Sequence, residues 1–154
     1  MPEVRAERWA EIYRDSFPRV YRALVATLFD GEAARDALHD AFVKGLERPP
    51  QDTNPEGWLF RVALREARSG PRFRIFRRAR ERGSEIDLVQ LLQRLEAGQL
   101  LMLLTERQRA IVVAHYYLGL TQVEIAEQLH IRRGTVGATI AKALAKMRKE
   151  ALVV

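Results

Sequence analysis

Residues Thr121–Met147 read TQVEIAEQLHIRRGTVGATIAKALAKM. The stretch spells two helices joined by a tight turn. Thr121 can cap the first helix, and Glu124 sits three residues later at capping-box spacing. Ile125 and Leu129 lie four apart and share one face. A turn is predicted around His130 to Arg133. Val136, Ile140, Leu144 and Met147 then recur at helical spacing and give the second helix an apolar back. Its front carries Arg132, Arg133, Thr135, Thr139, Lys142 and Lys146. A short helix, a turn and a second helix with a basic front is the pattern of a helix-turn-helix, whose second helix enters the DNA major groove. A plain helical hairpin with a solvated basic face has the same periods, so spacing alone leaves both readings open. The wording E-I-A-x-x-L-x-I-x-x-G-T-V favours the first, being close to bacterial helix-turn-helix output domains.

The charge along the chain points the same way. The 154 residues carry a net charge of +6. Residues 1–69 hold 11 basic and 12 acidic groups, whereas residues 70–83 hold six arginines and one glutamate. Residues 84–128 hold 3 basic and 6 acidic groups, and residues 129–154 hold 6 and 1. Two basic islands in an otherwise balanced chain imply two separate contacts with a polyanion. There is no cysteine, which excludes disulfides, thiolate metal sites and cysteine nucleophiles. The start, MPEVRAERWAEI, lacks the apolar core of a signal peptide, and no apolar run approaches the roughly 20 residues needed to cross a bilayer. The expectation is a cytoplasmic protein with no membrane insertion.

An all-α chain of two small helical domains is predicted. Residues 6–29 form a first helix through Trp9, Ile12, Tyr13, Phe17, Val20, Tyr21, Leu24 and Leu28, with Pro18 expected to bend or interrupt it. Asp30-Gly31 marks a turn. A second helix, Glu32 to Leu46, is expected to bury Ala34, Leu38, Ala41, Phe42 and Leu46 and to expose Asp36, His39, Asp40 and Lys44. The run RPPQDTNPE at 48–56 is a loop, with Asn54 as a helix cap and Pro55 in the first helical position. A third helix follows to about Arg68, with Trp58, Leu59, Val62 and Ala63 along it and Arg61, Arg65 and Arg68 on one face. Residues 1–69 would make one domain, residues 70–84 an arginine-dense linker, and residues 85–154 a second domain. In that second domain residues 85–98 resume a helical period and Leu100 to Leu104 form a short apolar segment. Thr105 with Gln108 opens a helix expected to turn Ile111, Val112, Tyr116 and Leu118 inward.

Both halves together resemble the extracytoplasmic-function sigma factors of bacterial RNA polymerase. FPRVYRAL, ARDALHDAFVKGL and PEGWLFRVA are similar to sigma region two. LTERQRAIVVAHYYLGLTQVEIAEQLHIRRGTV is similar to sigma region four. The resemblance covers nearly all of residues 9–148 and has both motif sets in the right order. It implies an initiation factor whose partners are core polymerase and promoter DNA, with an anti-sigma factor as a further partner of the kind such proteins have. It assigns core binding to Asp36, His39 and Asp40. It assigns capture and melting of the downstream (−10) element to Gln51, Asp52, Thr53, Asn54, Trp58, Arg61 and Arg65. Reading of the upstream (−35) element falls to Arg132, Arg133, Thr135, Thr139, Lys142 and Lys146. Trp58 is equally readable as a core aromatic.

Two departures stand out. Gly137-Ala138 replaces the bulkier polar residues usual in the last helix, and Leu64-Arg65-Glu66 stands where an arginine-asparagine pair is common. No catalytic constellation is present, no cofactor is implied, and His39, His115 and His130 have no metal-binding spacing. Rival readings are a stand-alone dimeric helix-turn-helix regulator and a sigma-like protein that occupies polymerase without opening DNA.

Overall fold

The computed structural model describes residues 2–51, 54–69 and 96–153. Seven helices and no strand lie among them: α1 (Pro2–Leu28), α2 (Gly31–Glu47), α3 (Pro55–Ser69), α4 (Glu96–Met102), α5 (Glu106–Tyr116), α6 (Gln122–Leu129) and α7 (Arg133–Val153). The chain is all-α, as its periodicity predicts. The expected linker at 70–84 and most of the expected helix at 85–98 lie outside the described residues.

Pro18 does not interrupt α1. A proline removes one N–H and leaves the carbonyl four residues earlier without its helical donor. Here that carbonyl belongs to Arg14, which is exposed, as is Pro18 itself, so water can serve it. On the opposite face Trp9, Val20, Leu24 and Leu28 are buried and hold the helix in the core on both sides of the proline. The last turn of α1 ends at Phe29, whose φ of 52° is left-handed.

Asp30 caps α2, accepting from the Ala33 N–H at 3.0 Å. Ala34, Leu38 and Ala41 are buried as expected, but Leu46 is 42% exposed. Gly45 takes the inward place instead. A Cβ there would stand 2.1 Å from the Trp9 indole, a distance no side chain tolerates. The indole lies against bare backbone, and its Nε1 donates to the Phe42 carbonyl at 2.9 Å. Asn54 caps α3 as predicted, accepting from Gly57 N at 3.0 Å.

In the C-terminal half both predicted capping boxes are formed, Thr105 with Gln108 and Thr121 with Glu124. Such caps contribute about 0.5–2 kcal/mol each. Ile111, Val112 and Leu118 are buried, whereas Tyr116 is 59% exposed, against expectation. The inward face of α5 runs through Ala110, Ile111, Val113 and Ala114, and Tyr116 ends the helix with its ring edge-on to His115. The turn after α6 puts His130 at φ 56°, and the Ile131 N–H donates back to the Ala126 carbonyl at 3.0 Å. This closes α6 in the manner of a left-handed C-cap without a glycine. Val136, Ile140 and Ala143 form the buried back of α7. Gly137 stands where α7 passes Gln122, with a would-be Cβ 3.2 Å from its Oε1.

The two halves share one core, which runs from Leu24 and Leu59 to Ile111 and Ile125. α1 packs on α2, α3 and α5, and α3 packs on α6.

Two substitutions test this packing. Gly45→Ala should lower stability by about 1–3 kcal/mol, because Trp9 is locked and the clash is with a ring. A lower urea midpoint at unchanged slope is the expected reading. Gly137→Ala should raise stability by up to about 1 kcal/mol from helix propensity, since the opposing atom ends a flexible side chain. An unchanged or lowered midpoint would show that Gln122 cannot give way.

Candidate nucleic-acid interface

The proline pair Pro49-Pro50 stands between two clefts. One, of about 450 Å³, is lined by Lys44, Glu47, Arg48, Pro49, Pro50, Trp58, Arg61, Val62 and Arg65. The other, of about 600 Å³, is lined by Arg5, Arg8, Trp9, Ile12, Pro49, Pro50, Gln51 and Pro55. Four cations face one carboxylate in the first cleft. Its apolar wall is the Trp58 ring, held edge-on to Trp9 with centroids 5.5 Å apart. Trp58 is therefore both readings at once, partly buried against the core and open to the cleft. A flat aromatic beside cations offers stacking to an unpaired base and charge to its phosphates; base–aromatic stacking is worth about 1–3 kcal/mol per base.

The structure brings Trp58, Arg61 and Arg65 together along this cleft and places Gln51 on its neighbour. Asp52 and Thr53 lie outside the described residues. Asn54 and Arg61 also face the C-terminal half: Asn54 Nδ2 donates to Glu124 Oε2 at 3.3 Å, and Arg61 Nε donates to Gln128 Oε1 at 2.8 Å. The Glu124 carboxyl is held below its ordinary pKa, first by the Thr121 backbone N–H and then by Asn54. Its stabilising contacts are thus present above the carboxylate range and fade as pH falls through that lowered value.

Arg5, Arg8 and Arg48 line the clefts without having been singled out in the sequence. Their positions come from the way α1 crosses α2, which no local period reveals. Glu66 forms an ion pair with Lys44 of α2. Its charge is thereby offset, and the departure at this position adds no bare carboxylate beside the cleft.

On α2, Asp36, His39 and Asp40 lie on the outward side, His39 exposed and the two aspartates half-buried. Val43 and Leu46 continue the same stripe at 40% and 42% exposure. The sequence reading had not marked Val43 and had placed Leu46 in the core. Acidic groups followed by two bare aliphatics one and two turns on make an amphipathic face.

Along α7, Arg132, Arg133, Thr135, Lys142 and Lys146 are exposed, and Thr139 is half-buried. The Thr139 hydroxyl donates to the Thr135 carbonyl at 2.7 Å, so its proton is engaged by its own helix. The Arg132 carbonyl receives the Thr135 and Val136 N–H groups at 3.0 and 3.2 Å, which sets both arginines at the helix start. A Cβ on Gly134 would meet nothing within 4 Å, leaving that first turn open to close approach. Among the described residues no three metal-ligating side chains come together, and no helix is long and apolar enough to cross a membrane.

The family described as sigma-70, region 4, matches residues 90–147. No curated protein matches the chain in sequence. Among solved structures, the sigma factor RpoE of Bartonella quintana, in complex with the anti-sigma factor NepR, is similar with a TM-score of 0.68 at 15% identity. The match covers 93% of this chain and 96% of that one. Residues 90–147 are thus similar to sigma-70 region 4, and the chain shares the fold of that sigma factor, in keeping with its resemblance to the extracytoplasmic-function sigma factors.

Proposed function

We propose that the chain is an initiation factor that recruits core RNA polymerase to promoters and helps to open them. The observation that carries this reading is the pairing of two unlike cationic surfaces in one sigma-type chain. One is a cleft with an aromatic wall, suited to a single strand. The other is an exposed convex helix, suited to a major groove. A dimeric regulator needs two copies of the second and has no use for the first.

In this reading residues 1–69 and 85–154 act as separate promoter-binding units. Asp36, His39 and Asp40, extended by Val43 and Leu46, dock on polymerase. Gln51 to Asn54, Trp58, Arg61 and Arg65 hold the melted downstream element. Arg132, Arg133, Thr135, Thr139, Lys142 and Lys146 face the upstream element. The chemistry of chain growth belongs to polymerase. The Lys44–Glu66 pair and the Gln122 contact of Gly137 supply structural reasons for the two departures on which a non-melting decoy would rest. The similar protein was solved with an anti-sigma factor, and a protein inhibitor of that class is proposed here as well.

The direct test is run-off transcription with bacterial core polymerase on a genomic fragment library. Discrete, chain-dependent transcripts are expected, and none above core alone would remove the reading. Within an active holoenzyme, Arg133→Ala should relax preference at one or two upstream base pairs, by about 1–3 kcal/mol of discrimination. Lys146→Ala should weaken all sequences alike and reduce the salt slope by about one. Asp36→Arg with Asp40→Arg should abolish core binding while the circular dichroism spectrum is kept. Unchanged affinity in a binding titration would place the docking face elsewhere.

A further inference from the structure

Between its two basic ends the front of α7 carries no long polar side chain. Residues 134–141 read GTVGATIA, with Arg132 and Arg133 before them and Lys142 after. Val136 and Ile140 are buried, and Gly137 is turned toward Gln122 of α6. The Thr139 hydroxyl donates to the Thr135 carbonyl at 2.7 Å, so its proton is not offered to a base. What this segment exposes is Gly134, Thr135, Ala138 and Ala141. At about 3.6 residues per turn, Ala138 stands midway between Thr135 and Ala141 around the helix, one turn beyond Gly134. Its methyl group is at the centre of the face. A Cβ on Gly134 would meet nothing within 4 Å, so the turn before it is bare backbone.

Such a face reads base pairs differently from a row of arginines and amides. Short side chains let the helix come close to the groove floor, and close approach excludes water. Of the groups that base pairs present in the major groove, the thymine 5-methyl is the one that an alanine methyl matches. Guanine N7 and O6 call for a donor, and cytosine N4 calls for an acceptor. Ala138 has neither, and a polar edge shut off from water without a partner costs free energy. The same residue therefore attracts thymine and disfavours a G·C pair. Resting on the proposed function, in which α7 faces the upstream element, we infer that Ala138 is a specificity-determining residue and that it selects the 5-methyl group of a thymine. Lys142 and Lys146 lie further along the helix and meet phosphates, which set its register without specifying sequence. The place where Gly137-Ala138 departs from the bulkier residues of similar proteins is thus where this chain reads by apolar contact.

The test reads binding, not transcription. Duplexes are enriched from a random-sequence pool by the full chain with core polymerase, relative to core alone. Each thymine of an enriched duplex is then replaced in turn by deoxyuridine, which removes only the 5-methyl group. At one thymine the parent should lose about fourfold in affinity, the worth of one buried methyl group. Ala138→Gly should bind the thymine and uracil forms of that position alike. The ratio is taken within each protein, so a general weakening by the added glycine cancels. If circular dichroism shows lost helix in Ala138→Gly, Gly137→Ala is added to restore helix propensity. A parent indifferent to uracil at every position, or thymine preferences that all persist at full size in the variant, would overturn the assignment. Run-off on the same duplexes is scored separately. A chain that tells thymine from uracil through Ala138 yet gives no transcript keeps the methyl contact and loses the initiation reading. Transcripts without that discrimination do the reverse, and no enrichment over core alone removes both.

Discussion

The Trp9 indole rests on α2 at a point where that helix has no side chain. Gly45 allows the approach, and the Phe42 carbonyl receives the indole N–H at 2.9 Å. From there the aromatic contacts spread. Phe42 stacks on Trp9 from one side, Trp58 meets it edge-on from α3, and Tyr13 packs on Phe42 with centroids 4.6 Å apart. Three helices are thereby fixed by rings whose offset and edge geometries each contribute about 0.5–1.5 kcal/mol beyond burial. The proline loop is held above this cluster, and both clefts take part of their walls from it. Removal of the Trp9–Gly45 fit would therefore disturb the cleft as much as the core.

Electrostatics is layered on that frame. The two clefts gather cations from α1, α2, the loop and α3, with Glu47 the one carboxylate lining them, and two further glutamates are ion-paired. Glu66 is tied to Lys44, and Glu56 to Arg19 at 3.5 Å. Exposed pairs of this kind contribute little to stability, typically below 1 kcal/mol. Their effect here is on the field, since each offsets a negative charge. The α7 face needs no such help, because Glu150 is its only acidic residue.

The seam between the halves combines an apolar centre with a polar rim. Leu118 and Leu120 are buried in it, and the rim bonds run from side chains to backbone carbonyls, an amide and two carboxylates.

Local features were legible in the sequence wherever one segment decides them. The helices of the described residues other than α4, which runs through Gly98 where the helical period was expected to end, the caps at Asn54, Thr105 and Thr121, the turn at His130 and the exposed basic front of α7 all follow from spacing and residue type. Each needs only its own neighbours within four positions. Pro18, Leu46 and Tyr116 read differently in the fold, because each depends on what another helix presents. A rigid core carries α1 through its proline, a ring from α1 claims the place Leu46 would have filled, and α5 ends before Tyr116 can turn inward. The Lys44–Glu66 pair and the meeting of Asn54 and Arg61 with α6 join residues 22 to 70 positions apart. Periodicity carries no record of such pairings. They arise when helices cross, and the crossing is set by which side chains are absent as much as by those present.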